Sequence, residues 1–111
     1  MKIINFEVPV KGGKTRTETG KVAIFQIADQ KIKFVIQDCG LRGVQLTHFA
    51  SGMTAASRET IAAIRVSNWA KSFNGCINDR EACRQALGKA EAKVGAARML
   101  VVMASAPIIN R

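Results

Sequence analysis

The sequence predicts an α+β domain in which a four-stranded antiparallel meander is followed by two or three C-terminal helices packed on one face. Apolar residues alternate with polar ones in the first half of the chain, which is the period of a half-buried strand. In the second half they recur at helical spacing. A chain of 111 residues forms a single domain, here divided into a β-sheet over 1–50 and a helical layer over 51–111.

Four segments are predicted as strands. The first, over 4–10, alternates in polarity, and Pro9 places it at a strand end or sheet edge because proline has no N–H to donate. The second, over 22–27, is nearly all apolar and indicates a central strand covered on both faces. The third, over 31–37, alternates cleanly, and the fourth, over 44–49, shows the pattern more weakly.

The connection between the first two strands is the candidate binding element. Residues 11–21 hold three glycines and no apolar residue, which predicts a flexible hairpin rich in cations. Long cations interleaved with threonine hydroxyls suit phosphate contacts, which position a protein on nucleic acid without reading its sequence. Two lysines on the outward face of the third strand extend this set, which comprises Lys11, Lys14, Arg16, Lys21, Lys31 and Lys33.

The first helix is predicted over 58–73, with Ser57 as its N-cap. Its apolar residues lie on two sides, as in a helix between two elements or at an oligomer contact. One side holds Ile61 and Ile64, and the larger set holds Ala62, Val66, Trp69, Ala70 and Phe73.

A capping-box variant of Asn78 and Glu81 begins the second helix, which Gly95 breaks or kinks. The last helix, over 96–105, is apolar nearly all round and is stopped by Pro107. A small sheet leaves such a helix either central to the helical layer or buried against a second copy. A homodimer is therefore predicted, with an interface through Met99, Val102 and Met103.

The charge of the chain indicates a polyanionic partner. Lysine and arginine number 17 against 8 acidic residues, a net charge of +9, and the excess is shared by both halves of the chain. A folded domain this basic repels itself, and a polyanionic partner is the commonest means of relieving that repulsion. The sequence predicts a small DNA- or RNA-binding protein that contacts phosphates through its basic hairpin and sheet edge. The alternative is a protein-interaction module, an inhibitor or accessory factor that docks an acidic protein.

Other chemistries find little support in the residues. Gly13, Lys14 and Thr15 match the end of a P-loop, but Val8 stands where its first glycine belongs. His48 is expected to be a strand histidine bonded to backbone rather than the partner of a Cys39 nucleophile. We therefore expect no enzyme, no cofactor and no metal site.

The second helix is not expected to read DNA. Its cations, which flank the apolar stripe, are typical of solvated borders whose aliphatic stems cover the edges of a core. They are Arg80, Arg84, Lys89 and Lys93.

Cysteine usage and hydropathy bear on location. The three cysteines are an odd number, and no export signal opens the chain, so reduced thiols in the cytoplasm are expected. A disulfide between Cys76 and Cys83 stays open as an alternative. No apolar run approaches the roughly 20 residues that span a bilayer, so no membrane association is expected.

Overall fold

In the computed structural model, which describes residues 2–71 and 77–111 without the side chains of 70 and 71, an antiparallel sheet precedes three α-helices. The strand order is β1-β2-β3-β4-β5, so each strand pairs with its neighbour in sequence. The predicted α+β meander is confirmed, and a short fifth strand is added to it. The elements are β1 (Ile3–Val10), β2 (Lys14–Ile27), β3 (Gln30–Asp38), β4 (Val44–His48), β5 (Thr54–Ala56), α1 (Arg58–Lys71), α2 (Asp79–Val94) and α3 (Ala96–Ser105).

The hairpin of β1 and β2 is longer and more regular than predicted. Pairing continues from Ile3 opposite Lys21 to Val10 opposite Lys14, and only 11–13 form the turn. The prediction of a flexible connection over 11–21 was therefore wrong beyond residue 13. Strand pairing is made by backbone hydrogen bonds and needs no apolar side chains. Polar cross-strand contacts support this half of the hairpin, including Thr17 Oγ1 donating to Glu7 Oε2 at 2.9 Å.

The main core lies between one face of the sheet and the helices. Phe34 and Leu46 are fully buried at its centre, and α1 and α2 cover them. Ile61 and Ile64 of α1 point into this core, whereas Val66 and Trp69 are 67% and 58% exposed. The smaller apolar set of α1 is thus the inward one, because the sheet lies on that side.

The second face of the sheet carries a smaller core of its own. Phe6 and Val8 of β1 are buried together with Val35 of β3. This requires β2 to approach β3 closely at Gly20, where an added Cβ would collide with Val35 Cγ1 and lie 2.8 Å from the carbonyl oxygen of Ile36. The absence of a side chain at residue 20 lets β1 coil back over the sheet.

Hydrogen bonds from the C-terminal segment connect β1 to the turn that follows β4. The side-chain amide of Asn110 accepts from the Glu7 N–H at 2.7 Å and donates to the carbonyl oxygens of Glu7 and Phe49 at 2.7 and 2.8 Å. The backbone N–H groups of Ile109 and Asn110 both donate to the carbonyl of Ala50. The free edge of β1 is thereby attached to the turn that follows β4, and Pro9 does lie on an edge strand as predicted.

Helix ends follow the sequence signals closely. Asn78 Oδ1 accepts from the Glu81 N–H at 2.8 Å, as predicted for the cap of α2. Ser57 Oγ accepts from the Thr60 N–H at 3.3 Å at the start of α1. Gly95, with a φ of 95°, separates α2 from α3. Phe73 and Cys76 lie outside the described ranges, and with Cys76 the alternative of a Cys76–Cys83 bridge.

In the part of the chain that the structure describes, no helix has the length and apolar character needed to cross a membrane.

Candidate anion-binding surface

The cations of the hairpin tip are exposed at one end of the molecule. Lys11 lies in the turn itself, and Lys14 and Arg16 follow at the start of β2. Arg16 donates from Nε and a terminal nitrogen to Glu18 Oε1 at 3.0 and 2.7 Å, so part of its charge is offset. The tip therefore presents two lysines and one ion-paired arginine.

Lys21 lies apart from the other predicted site residues. It lines a small cleft on the helical side of the sheet together with Asp38 and Asp79. Asp79 also pairs with Arg65 of α1. Lys21 thus shares its cleft with two carboxylates, and this end of the predicted cationic surface is electrostatically mixed.

Lys31 and Lys33 lie on β3 and pair with the end of β2 that is farthest from the tip. Lys31 pairs with Gln26 near the β2–β3 turn, and Lys33 Nζ lies 3.9 Å from the centre of the Phe49 ring in a cation–π contact. The 14 residues of β2 extend over roughly 45 Å of strand path at about 3.3 Å each. Apart from Lys21, the predicted residues thus divide into a tip group and a base group, the latter consisting of Lys31 and Lys33.

Lys31, but not Lys33, lines a cleft that the sequence did not reveal, between the β2–β3 turn and α2. The cleft measures about 590 Å³. Its cations are Lys31, Arg80 and Arg84, and the carboxylate among its lining residues is Glu91. The apolar part of its wall includes Ile24, which is 52% exposed. We call this space the basic cleft; its shape and positive charge suit a phosphate group or another compact anion.

Arg80 is held in place by the sheet. One terminal nitrogen donates to the carbonyl oxygen of Ile24 at 3.0 Å, and the guanidinium lies 4.8 Å from the centre of the Phe25 ring. These contacts dock the beginning of α2 against β2. They leave the guanidinium on the wall of the basic cleft with further N–H groups to donate.

Arg84 occupies the next turn of the same helix face. Its Nε donates to both carboxylate oxygens of Glu81, at 2.7 and 2.9 Å. This hydrogen bond lowers the pKa of Glu81 and raises the pKa of Arg84. Because both side chains reach solvent, the pair is weak. The Arg84 guanidinium is therefore accessible to other anions.

Sequence reasoning had assigned Arg80 and Arg84 to the solvated border of α2. Their spacing of four residues puts them on one helix face, which is the only sequence signal for a shared site. That Lys31 lies opposite this face follows from the docking of α2 on the sheet. No pattern within either segment carries that information.

His48 and Cys39 do not meet. His48 Nδ1 lies 2.8 Å from Ser51 Oγ, and Cys39 Sγ approaches the carbonyl of Gln37 at 3.9 Å. The His48 ring is therefore bonded to a side chain rather than to backbone as expected. Burial lowers its pKa. Burial likewise raises the pKa of the Cys83 thiol to about 11.

The three predicted interface residues have different surroundings in α3. Met99 and Met103 are partly buried against the main core. Val102 is 56% exposed, and its neighbour Val101 is 63% exposed. The outward side of α3 thus exposes two valines between Arg98 and Ser105, which are also exposed. Beyond the helix, Ile108 is 62% exposed.

Within residues 2–71 and 77–111, no group of three or more His, Cys, Asp or Glu side chains is arranged to hold a metal ion. No protein-family model, curated protein or solved structure matches this chain. Function is therefore inferred from the surface alone.

Proposed function

We propose that this protein binds nucleic acid through phosphate contacts, using the hairpin tip and the basic cleft as separate points of attachment. The observation that carries the proposal is the convergence of Lys31, Arg80 and Arg84 on one cleft in a chain of net charge +9. Arginine suits this role because its planar guanidinium binds phosphate oxygens in pairs. The activity proposed is binding and not catalysis.

Backbone contacts rather than base stacking fit the side chains around the basic cleft. Phe6, Phe25 and Phe34 are buried, so they offer no surface for stacked bases. Trp69 is 58% exposed but does not line the basic cleft. Phe49 is partly buried under Lys33. Binding is accordingly expected to show weak sequence preference and steep salt dependence.

The test is a fluorescence titration of labelled duplex DNA and single-stranded RNA at several salt concentrations. Binding is expected at 50 mM salt, and log Kd should rise linearly with log salt. Absence of binding to both polymers at 50 mM salt contradicts the proposal.

Charge-matched variants separate the basic cleft from net charge. Lys31→Gln with Arg84→Gln removes two cleft cations while leaving Arg80, which anchors α2, in place. Lys89→Gln with Lys93→Gln removes two exposed cations of α2 that do not line the cleft. If the cleft binds phosphate, the first pair lowers the salt slope by about 1.8 on duplex DNA, and the second pair changes it by much less. Equal effects mean that the cleft is not the contact.

The hairpin tip is tested in the same titration. Replacing Lys11, Lys14 and Arg16 by Gln is expected to weaken binding and leave the fold intact, because all three are exposed. Unchanged affinity excludes the tip as a contact. Unchanged thermal unfolding shows that any loss of binding is not a loss of structure.

An acidic protein is the second candidate partner, and exposed apolar residues in and after α3 favour it. Val101, Val102 and Ile108 are exposed apolar side chains, and a surface of this kind suits a protein partner. A stoichiometric partner recovered after nuclease treatment supports this candidate. Loss of every partner on nuclease treatment supports nucleic acid instead.

We propose further that the same side of α3 forms a homodimer contact. Sedimentation equilibrium is expected to show a dimer, which Val101→Ser with Val102→Ser converts to monomer. If the wild-type chain is still a monomer at about 10⁻⁴ M, the dimer is contradicted, because a stable interface has a Kd well below that concentration.

A further inference from the structure

The basic cleft lies beside a stretch of β2 whose outer edge has no neighbouring strand among the described residues. The register of β1 with β2 ends at Lys21. One further backbone bond joins the Val22 N–H to the Lys2 carbonyl at 2.9 Å. Beyond Val22, β2 is paired on one side only, with β3. This unpaired edge includes Ile24 and Gln26, which line the basic cleft.

The register shows which backbone groups of β2 point towards the cleft. In an antiparallel pair, the N–H and C=O of one residue point to the same side, and successive residues alternate. Val22 points away from β3, so Ile24 and Gln26 do so too. Arg80 confirms this direction, because it donates to the Ile24 carbonyl oxygen from the wall of the cleft. The N–H groups of Ile24 and Gln26 therefore face the cleft.

The Arg80 contact indicates which kind of ligand suits this edge. A peptide strand added to the edge would pair with both the N–H and the carbonyl of Ile24. That carbonyl already accepts from Arg80 at 3.0 Å. The Ile24 N–H, the Lys31 ammonium and the Arg84 guanidinium are all donors. Such a set suits an anion with several oxygens better than a peptide strand.

The charges of the cleft favour a phosphate with a full complement of free oxygens. Among the lining residues, cations outnumber carboxylates by three to one, and the carboxylate is Glu91. Glu81, which does not line the cleft, accepts from Arg84 Nε and leaves the terminal nitrogens of that guanidinium to donate. A terminal phosphate has three free oxygens and a charge of about −1.5 to −2 at neutral pH. A phosphate within a strand has two free oxygens and a single negative charge.

We propose that the basic cleft binds the terminal phosphate of a nucleic-acid strand, through Arg84, Lys31 and the Ile24 N–H. This inference rests on the proposed nucleic-acid binding and names the phosphate that the cleft prefers. The cleft volume of about 590 Å³, at about 30 Å³ for each water-sized group, corresponds to roughly 20 non-hydrogen atoms, or one nucleotide. A terminal phosphate enters with one nucleotide attached, whereas an internal phosphate brings a nucleotide on each side.

The test compares single strands of equal charge by fluorescence titration, with the label placed inside the strand. Two strands carry a phosphate at the 5′ or the 3′ end, and a reference strand is two nucleotides longer and ends in hydroxyls. At least one phosphorylated strand is expected to bind about tenfold more tightly than the reference, because it gains charge-assisted hydrogen bonds without added charge. Equal Kd values for all strands overturn this inference and leave the proposed nucleic-acid binding intact. Absence of binding by every strand contradicts both.

Gly88 allows the cleft to be filled without removal of a charge. It lies four residues after Arg84 in α2 and lines the cleft, and a Cβ there would meet nothing within 4 Å. Gly88→Leu should occupy this space and reduce the tenfold preference to about twofold or less, and it should keep the fold because leucine favours a helix more than glycine does.

Ala92→Leu is the matched control. Ala92 is exposed on the same helix and does not line the cleft, so this variant should keep the preference for a terminal phosphate. A preference that survives Gly88→Leu, or that both variants abolish equally, contradicts the site.

A free nucleotide is the competing source of the same phosphate group. Adenosine monophosphate is therefore titrated as a competitor of the phosphorylated strand. The strand is expected to bind more tightly, because the hairpin tip provides it with a second point of attachment. If the free nucleotide binds as tightly as the strand, the cleft is a nucleotide site and the inference is wrong. The phosphorus NMR signal of the terminal phosphate should shift with wild-type protein, and an unshifted signal contradicts the inference as well.

Discussion

Replacement of Gly52 by alanine tests the coiling of the sheet most directly. Gly52 has a φ of 69°, and it lies where β1 meets the turn after β4. An added Cβ would lie 2.6 Å from the carbonyl oxygen of Glu7, 2.9 Å from Pro9 Cδ and 3.0 Å from Val8 Cα. Two of these three atoms are backbone, so β1 itself would have to move.

The expected cost has two parts. A left-handed backbone conformation costs a non-glycine residue about 1–2 kcal/mol. Overpacking against atoms that cannot swing away costs about 1–3 kcal/mol more. Gly52→Ala should therefore lower the free energy of unfolding by about 2–5 kcal/mol. The total free energy of unfolding of a small domain is typically about 5–15 kcal/mol.

Gly40→Ala is the matched control. Gly40 has a nearly identical φ of 65°, and a Cβ there would meet nothing within 4 Å. It should cost only the conformational part, about 1–2 kcal/mol. The difference between the two variants therefore isolates the close approach of β1.

Urea unfolding of both variants is the assay. With a slope of about 1–2 kcal/mol/M, Gly52→Ala should unfold at a urea concentration roughly 1 M below that of Gly40→Ala. Hydrogen exchange of the Glu7 amide, which donates to Asn110 Oδ1, should accelerate in Gly52→Ala alone. Equal midpoints for the two variants would refute the coiled arrangement.

Three further outcomes are expected. Asn110→Ala should lower the free energy of unfolding by about 2–3 kcal/mol, because three hydrogen bonds are lost. A decrease below about 0.5 kcal/mol in urea unfolding contradicts the stabilising role of Asn110. His48 has a pKa lowered from 6.5 by burial, so its neutral form is favoured on folding. The contribution of His48 to stability should be complete above pH 6.5 and be lost as the pH drops below that value. His48→Gln should therefore reduce the difference between the urea midpoints measured at pH 7.5 and pH 5. An unchanged difference argues against this role of His48. The pKa of Cys83 is about 11, against 9.0 for a free thiol. In a Cys76→Ser background, Cys83 should therefore react with a disulfide reagent at pH 8 at least about 100-fold more slowly than Cys39. Similar rates would place the Cys83 thiol in solvent.

Local patterns of the sequence were sufficient for the elements with one buried face. The alternation over 31–37 predicts β3 because a sheet that buries one side imposes a period of two on its side chains. The cap formed by Asn78 and Glu81 and the break at Gly95 were readable because these signals act within a few residues. The order of strands and helices followed from the same local signals.

The first half of β2 was not readable, for an equally physical reason. Most of its side chains are exposed, so no burial pattern marks it, and its order comes from backbone pairing with β1. The inward face of α1 was ambiguous for a related reason. Apolar residues occur on two sides of the helix, and only the position of the sheet decides that Ile61 and Ile64 are the buried pair.

The sequence alone determined that the protein is a basic α+β domain, because net charge is a sum over the residues and the hydrophobic period is a repeat along the chain. The tertiary structure decided where that charge is concentrated. Lys31 and Arg84 are more than fifty residues apart in sequence and share the basic cleft because α2 docks on the sheet through Arg80. Likewise Glu7 and Asn110 meet because the sheet coils at Gly20. Contacts between distant segments depend on packing geometry, which no local pattern of residues encodes.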